Sequence, residues 1–303
     1  MTRHAGATAA VLSAGGAAAL WGTTGTARAL GPDGADPVAV GALRILLGAA
    51  VLAVLAVSTL RRPTTRRARP GRLPLGVVML LGGVCVAAYQ AFFFVGVDRA
   101  GVAVRTVVAL GTAPAATGVL GLLLGERASR RWVLGTATAV VGVALLVAGA
   151  GVADRSVDPP GVAASLGAGV SYAGYTVAAR TLLLRGARGI VVMAAFFGVG
   201  AVLLVPVLPG ADLSWLGTAP GALMVLWLGL VATGVAYVLF QRGLAVLPSG
   251  TVATLSLTEP VTATMLGVLV LHEHLSLLTA VGVAVVLLGL ALTARRRSPR
   301  LAP

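Results

Sequence analysis

The sequence predicts an all-α membrane protein: ten transmembrane helices built as two inverted five-helix repeats. Three observations predict it. First, the 303-residue chain is 58% hydrophobic and 11% charged, with a mean hydropathy of +0.98. So few charges could not keep a soluble surface free of apolar patches. Second, a bilayer core of about 30 Å asks for roughly 20 apolar residues per helix. Such runs occur at 8–28, 37–60, 73–96, 101–124, 132–151, 161–183, 189–208, 219–243, 250–271 and 275–294. Third, the second half of the chain repeats the first.

The first run ends near Ala27-Arg28-Ala29, which has the outline of a signal-peptide cleavage site. Arg28 within that site and nine further runs downstream favour a helix that stays. The loops after it set the orientation. All 23 basic residues are Arg. With the N-terminus in the cytoplasm, Arg3, the six Arg between Arg61 and Arg72, Arg127, Arg130, Arg131, Arg180, Arg185, Arg188, Arg242 and four in the tail fall inside. Only Arg28, Arg99 and Arg155 fall outside, beside acidic residues such as Asp33, Asp36 and Asp212. The positive-inside rule therefore places both termini in the cytoplasm of a cell-membrane protein. In a soluble chain the net charge of +14 would suggest nucleic acid. Here the charges sit in loops and set topology, and no nucleic-acid partner is expected.

The fourth and fifth runs, "APAATGVLGLLLGERASRRWVLGTATAVVGVALLV" (113–147), return in the ninth and tenth as "EPVTATMLGVLVLHEHLSLLTAVGVAVVLLGLALT" (259–293). Pro114 matches Pro260 and Gly121 matches Gly267. After a one-residue slip Glu126 matches Glu273, Ser129 matches Ser276, Gly135 matches Gly282 and Gly142 matches Gly289. The repeats are thus 1–151 and 161–296, joined by a linker at 152–160. Five spans is an odd number, so the two copies must face opposite ways. The loop charges agree: "GERASRR" carries three Arg and its copy "HEHLS" none.

These residues resemble a known family. Trp21-Gly22 in the first span, Arg44 early in the second, and the paired proline-to-"GE" blocks look like the drug/metabolite transporter superfamily, EamA type, over about residues 8 to 294. The resemblance implies a ten-helix permease with a central cavity between its halves, commonly an exporter of small metabolites. One departure stands out: the second "LGE" reads Leu271-His272-Glu273.

Glu259 is the most informative position. A carboxylate at midspan costs roughly 2.5–3.5 kcal/mol on insertion scales, so it should face a cavity or a partner. Its repeat equivalent is Ala113. The prolines belong to the shared architecture and the carboxylate was added to one copy. Prolines at membrane depth open helices and free carbonyls to line a cavity, so Pro114 and Pro260 are expected to mark paired helix breaks, or else kinks that serve packing. Arg44 and Arg105 are the Arg placed well inside spans. Each either snorkels outward or meets an anion, or Glu259, in the cavity. Tyr172 and Tyr175 share a helical face, and with Tyr89, Gln90, Tyr237 and Trp21 they complete the candidate lining. Interhelical hydrogen bonding or interface anchoring would explain the same residues.

His272, Glu273 and His274 read as a turn, so no metal is expected, and no cofactor. The absence of Lys excludes a P-loop lysine or a Schiff base in this chain. Cys85 is the single cysteine, so there is no disulfide framework. The spans lack the paired groups of an intramembrane enzyme. The expected function is a secondary permease for a small metabolite, amino acid or drug-like solute, with protons as a coupling ion. A non-transporting scaffold or sensor is the alternative.

Overall fold

A computed structural model describes residues 2–60, 71, 73–150 and 158–294. The described residues are helical throughout, with no strand. The elements are α1 (Thr2–Ala29), α2 (Pro37–Leu60), α3 (Leu75–Leu123), α4 (Arg130–Gly149), α5 (Pro159–Leu184), α6 (Gly189–Leu204), α7 (Ala219–Leu226), α8 (Ala236–Val246), α9 (Ser249–Leu255), α10 (Thr258–Val270) and α11 (Leu277–Ala294). A π-helical stretch, Trp227–Val235, makes α7 and α8 one continuous rod. Its Thr233 hydroxyl donates to the Leu228 carbonyl at 2.8 Å, five residues back. Of the Arg-rich 61–72 loop only residue 71 is described, and of the expected 152–160 linker only 158–160, where α5 already begins at Pro159.

Eight helical segments among the described residues are long and apolar enough to cross a membrane. Ten were expected. α1 and α5 are long enough but stand outside the eight. Both are rich in Ala, Gly and Thr, and α5 buries Ser165, Ser171, Tyr172, Tyr175 and Thr176 within the bundle. A helix surrounded by other helices does not need a lipid-facing apolar coat.

The third and fourth expected spans form one helical element, α3. A Cβ placed on Gly167 of α5 would meet the Phe92 ring at 2.9 Å, and one on Gly169 would meet Thr112 Cβ at 2.7 Å. Along a straight helix residues 92 and 112 would stand about 30 Å apart. α3 therefore does not run straight from Phe92 to Thr112, and α5 packs against both of these parts of it.

Chain ends of the helices follow local chemistry. Asp36 precedes Pro37 and accepts from the Val38 and Ala39 N–H groups at 3.1 and 3.3 Å, an ordinary carboxylate cap with proline in the first turn. Outside the helices, Ser214 N–H donates to Asp212 at 2.8 Å and holds that carboxyl below its usual range.

The "GERAS" and "HEHLS" blocks prove to be one device built twice. After α3, Gly125 adopts φ +82°, and after α10, His272 adopts φ 56°. Both are left-handed residues closing a helix C-terminus, so the "LHE" departure keeps the turn and places a non-glycine residue in it. The Glu126 N–H donates to the Gly121 carbonyl at 2.9 Å, and Glu273 N–H to Gly267 at 3.0 Å. Three residues past each glutamate, Ser129 and Ser276 cap the next helix, accepting from Trp132 and Thr279 N–H groups at 3.1 Å each. The following helices, α4 and α11, cross backbone to backbone. A Cβ on Gly135 would lie 2.8 Å from the Gly289 carbonyl oxygen, and one on Gly289 2.6 Å from that of Gly135.

The two expected helix breaks differ. α9 ends at Leu255 and α10 begins at Thr258. Pro260 has no N–H to give the Ser256 carbonyl, and Glu259 N–H takes that acceptor instead at 2.9 Å. α3 continues through Pro114. A break there is corrected to an in-helix proline: one lost backbone bond is absorbed where the flanking turns stay intact.

Candidate functional site

The Ser256–Leu257 interruption brings Glu259 to the middle of the bundle. α1 reaches it because Gly22 has no side chain: a Cβ there would sit 2.6 Å from the Glu259 carbonyl oxygen and 2.7 Å from Thr262 Cβ. This is the physical content of the Trp21-Gly22 pair. The glycine lets α1 touch the break, and the indole beside it is delivered to the centre.

A cavity of about 110 Å³ lies there. Trp21, Arg44, Tyr89, Gln90, Tyr172, Tyr175, Tyr237 and Glu259 all line it. Eight of the nine lining residues expected from sequence thus meet in one place, from α1, α2, α3, α5, α8 and α10. The Arg105 side chain lies outside the described residues. A larger cavity, about 820 Å³, sits at the Glu126 end among Arg127, Arg130 and Trp132. The smaller one is the candidate site, because it brings Arg44, Gln90 and Glu259 together with the buried Tyr172, Tyr175 and Tyr237.

Its wall is aromatic. Trp21 meets Tyr237 at 5.2 Å and Tyr172 edge-on at 6.5 Å between ring centroids, and Tyr172 meets Tyr175 at 5.1 Å. The Tyr172 hydroxyl is paired with Ser256 at the helix break, and Tyr175 with Tyr237 at 3.2 Å. Gln90 Nε2 makes a long 3.5 Å contact with the Gly41 carbonyl. These bonds hold the rings at fixed angles and leave few phenols free to turn. Glu259 is engaged as well.

Two donors are left over. Trp21 Nε1 and Arg44 Nε are buried and have no hydrogen-bond acceptor, although Trp21 is only 8% exposed. A buried donor without a partner carries a desolvation penalty of about 1–3 kcal/mol. Both residues line the cavity.

Sequence reasoning missed several residues. Arg28, assigned to an outer loop, is in the last turn of α1 and lines the cavity with Thr24 and Pro37. Ser256 lines it too; its position just before Glu259-Pro260 was the available signal. Glu126, the repeat partner of the turn residue Glu273, sits in a hydrogen-bonded cluster. Its carboxylate accepts from Ser249 N–H at 2.9 Å, Ser249 Oγ at 2.6 Å and Arg180 Nε at 3.2 Å, and Arg180 Nη1 also donates to the Leu244 carbonyl at 2.7 Å.

Known proteins place this architecture. The model of the EamA-like transporter family matches residues 8–148 and 159–295. The chain is 39% identical over 275 residues to an uncharacterized transporter, YwfM, of Bacillus subtilis (strain 168), covering 90% of each. It is 23% identical to an uncharacterized transporter of Clostridium kluyveri, covering 84% of this chain and 82% of that one. A solved crystal structure of a protein superposes with a TM-score of 0.78 over 94% of this chain and 96% of the other, at 25% identity. The family and both relatives are transporters by name rather than enzymes. With apolar helices throughout and a family match along nearly the whole chain, this is a multi-pass membrane protein of the EamA-like transporter family, within the drug/metabolite transporter superfamily.

Proposed function

We infer that this transporter carries a small solute bearing a hydrogen-bond acceptor, a carboxylate above all, through the central cavity by alternating access. The observation that carries the substrate class is the pair of buried donors without an acceptor among the described residues, Trp21 Nε1 and Arg44 Nε, on residues that line an aromatic cavity. Arg28 and Arg44 against Glu259 favour a solute with an anionic end. The aromatic wall suits an apolar remainder, and the cavity of about 110 Å³ limits its size. Small metabolites and amino acids fit these terms.

The mechanism rests on two halves, 1–151 and 161–296, as inverted copies of five helices each, ten in all. What supports this is the α4–α11 crossing. Gly135 and Gly142 correspond in the repeat to Gly282 and Gly289, and the glycines in contact are Gly135 with Gly289 and Gly142 with Gly282. Exchanging the copies maps each contact onto the other, as a two-fold axis through the crossing requires. The Arg distribution supports cytoplasmic termini in the cell membrane, and export is the direction that the family resemblance implies. Glu259 would be the group that exchanges a proton for the solute; its place in the cavity lining supports this. Flux of a carboxylate panel into proteoliposomes, with and without an imposed pH gradient, tests the reading. Absence of flux for every solute offered under both conditions would favour a scaffold or sensor.

A further inference from the structure

The Glu126 cluster joins the two halves at one end of the molecule. Glu126 follows α3 in the first half, while Arg180, Leu244 and Ser249 belong to α5, α8 and α9 in the second. Arg180 and Glu126 are 12% and 16% exposed, so their ion pair is shielded where it would otherwise be weak. Glu126 and Gly250 border the larger cavity, and Ala253 and Ser256, further along α9 and just past it, border the central one.

Internal symmetry supplies a second set of the same groups at the opposite end. "GTTGTARAL" (22–30) aligns with "GYTVAARTL" (174–182), matching Gly22 with Gly174, Thr24 with Thr176, Ala27 with Ala179, Arg28 with Arg180 and Leu30 with Leu182. Glu273 matches Glu126 in sequence, in turn geometry and in placement. A Cβ on Gly121 would lie 2.7 Å from Glu126 Oε2. One on Gly267 would likewise run into the Glu273 carboxylate, so each glutamate folds back over the glycine of the preceding helix. Arg28 and Glu273 again come from opposite halves. The two sets are in different states. Among the described residues, Arg180 and Glu126 form an ion pair and Arg28 and Glu273 do not. Glu273 is exposed, and Arg28 lines the central cavity, which extends towards Thr24 and Pro37 at that end.

We propose that Arg180–Glu126 and Arg28–Glu273 are two alternating latches of the transport path, and that this conformation has the first closed and the second open. The proposal rests on the alternating-access reading above. When the halves rock, the Glu126 carboxylate leaves Ser249 and Arg180, and the Glu273 carboxylate takes up Arg28 at the other end. No covalent step is involved; each latch exchanges one set of charge-assisted hydrogen bonds for water.

The test uses the full chain in sealed vesicles of both orientations, with Cys85→Ala and a reporter Ala113→Cys in the central cavity, labelled by an impermeant maleimide. The reporter should label mainly from the Arg28 side. Glu126→Gln should raise labelling from the Glu126 side about fivefold or more, and Arg180→Gln should do the same if the first variant folds poorly. Glu273→Gln added to Glu126→Gln should bring labelling back towards the parent pattern, because it weakens the competing latch. Labelling that stays within about twofold in both Glu126→Gln and Arg180→Gln overturns the proposal, as does an addition of Glu273→Gln that leaves the Glu126→Gln pattern unmoved. The labelling needs no substrate, so failure to find a transported solute bears on the function and not on the latches.

Discussion

Gly142 and Gly282 are reciprocal neighbours across the α4–α11 crossing: a Cβ built on either would lie 2.9 Å from the carbonyl oxygen of the other. Neither helix can accept a side chain there without moving away. Gly142→Val should therefore destabilise the protein by about 1–3 kcal/mol, the usual range for overpacking. Thermal unfolding in detergent, read beside Gly198→Val, where nothing lies within 4 Å, measures it. Equal melting temperatures for the two would refute close packing as the reason for the glycine.

Gly22→Val tests the contact between α1 and the helix break. The added methyls meet the Glu259 carbonyl and Thr262, so α1 must retreat and take Trp21 with it. Both stability and solute flux should fall, with a loss of roughly 1–3 kcal/mol. Full flux in a stable Gly22→Val protein would separate the Trp-Gly pair from the site.

Trp21→Phe keeps an aromatic wall and removes one of the two unpartnered donors. Affinity for a carboxylate solute should drop by up to roughly tenfold, measured by thermal shift against the solute. The melting temperature of the free protein should hold or rise, since a buried unsatisfied group is gone. An unchanged affinity would mean that the indole N–H does not meet the solute.

Glu259→Gln keeps the shape and removes the charge. Folding and insertion should survive, because a neutral amide at membrane depth is less costly than a carboxylate. Uphill transport under a pH gradient should collapse while downhill exchange persists. If the Gln variant still concentrates solute against a gradient, Glu259 does not carry the coupling proton. If it fails to insert, the carboxylate is a structural partner of the break.

Cysteines placed in the 61–72 loop should label only from the cytoplasm, and those near Asp212 only from outside. Labelling of both from the same side would remove the inverted arrangement of the halves.

Much of this was legible in the sequence, for definable reasons. Helical class and membrane placement follow from composition and run length, which depend on no neighbours. The lining residues were legible because buried polar groups in apolar spans have few places to go; Trp21, Arg44, Tyr89, Gln90, Tyr172, Tyr175, Tyr237 and Glu259 share the cavity. What stayed hidden depended on approach between distant segments. Arg28 reads as a loop charge until α1 is seen to run through Ala29. Glu126 reads as a turn residue until α9 and α5 arrive beside it. The proline pair read as equals, yet α3 runs through Pro114, while at Pro260 the Ser256 carbonyl is taken by Glu259 instead. Local sequence fixes which bond a proline removes, and the surrounding helices decide what replaces it.

Glu259 at the helix break and Ala113 beside the in-helix Pro114 have an electrical consequence. Two identical halves would respond alike to a voltage across the bilayer, and neither facing state would be preferred by it. A carboxylate carried by one repeat at Glu259 and absent from the other at Ala113 breaks that equality whenever it is charged. A full elementary charge crossing 100 mV is worth about 2.3 kcal/mol; one moving through part of the field gains a fraction of that. If the protein alternates between two facing states as proposed, a voltage across its membrane would act directly on their balance, and a change in voltage alone would tilt it.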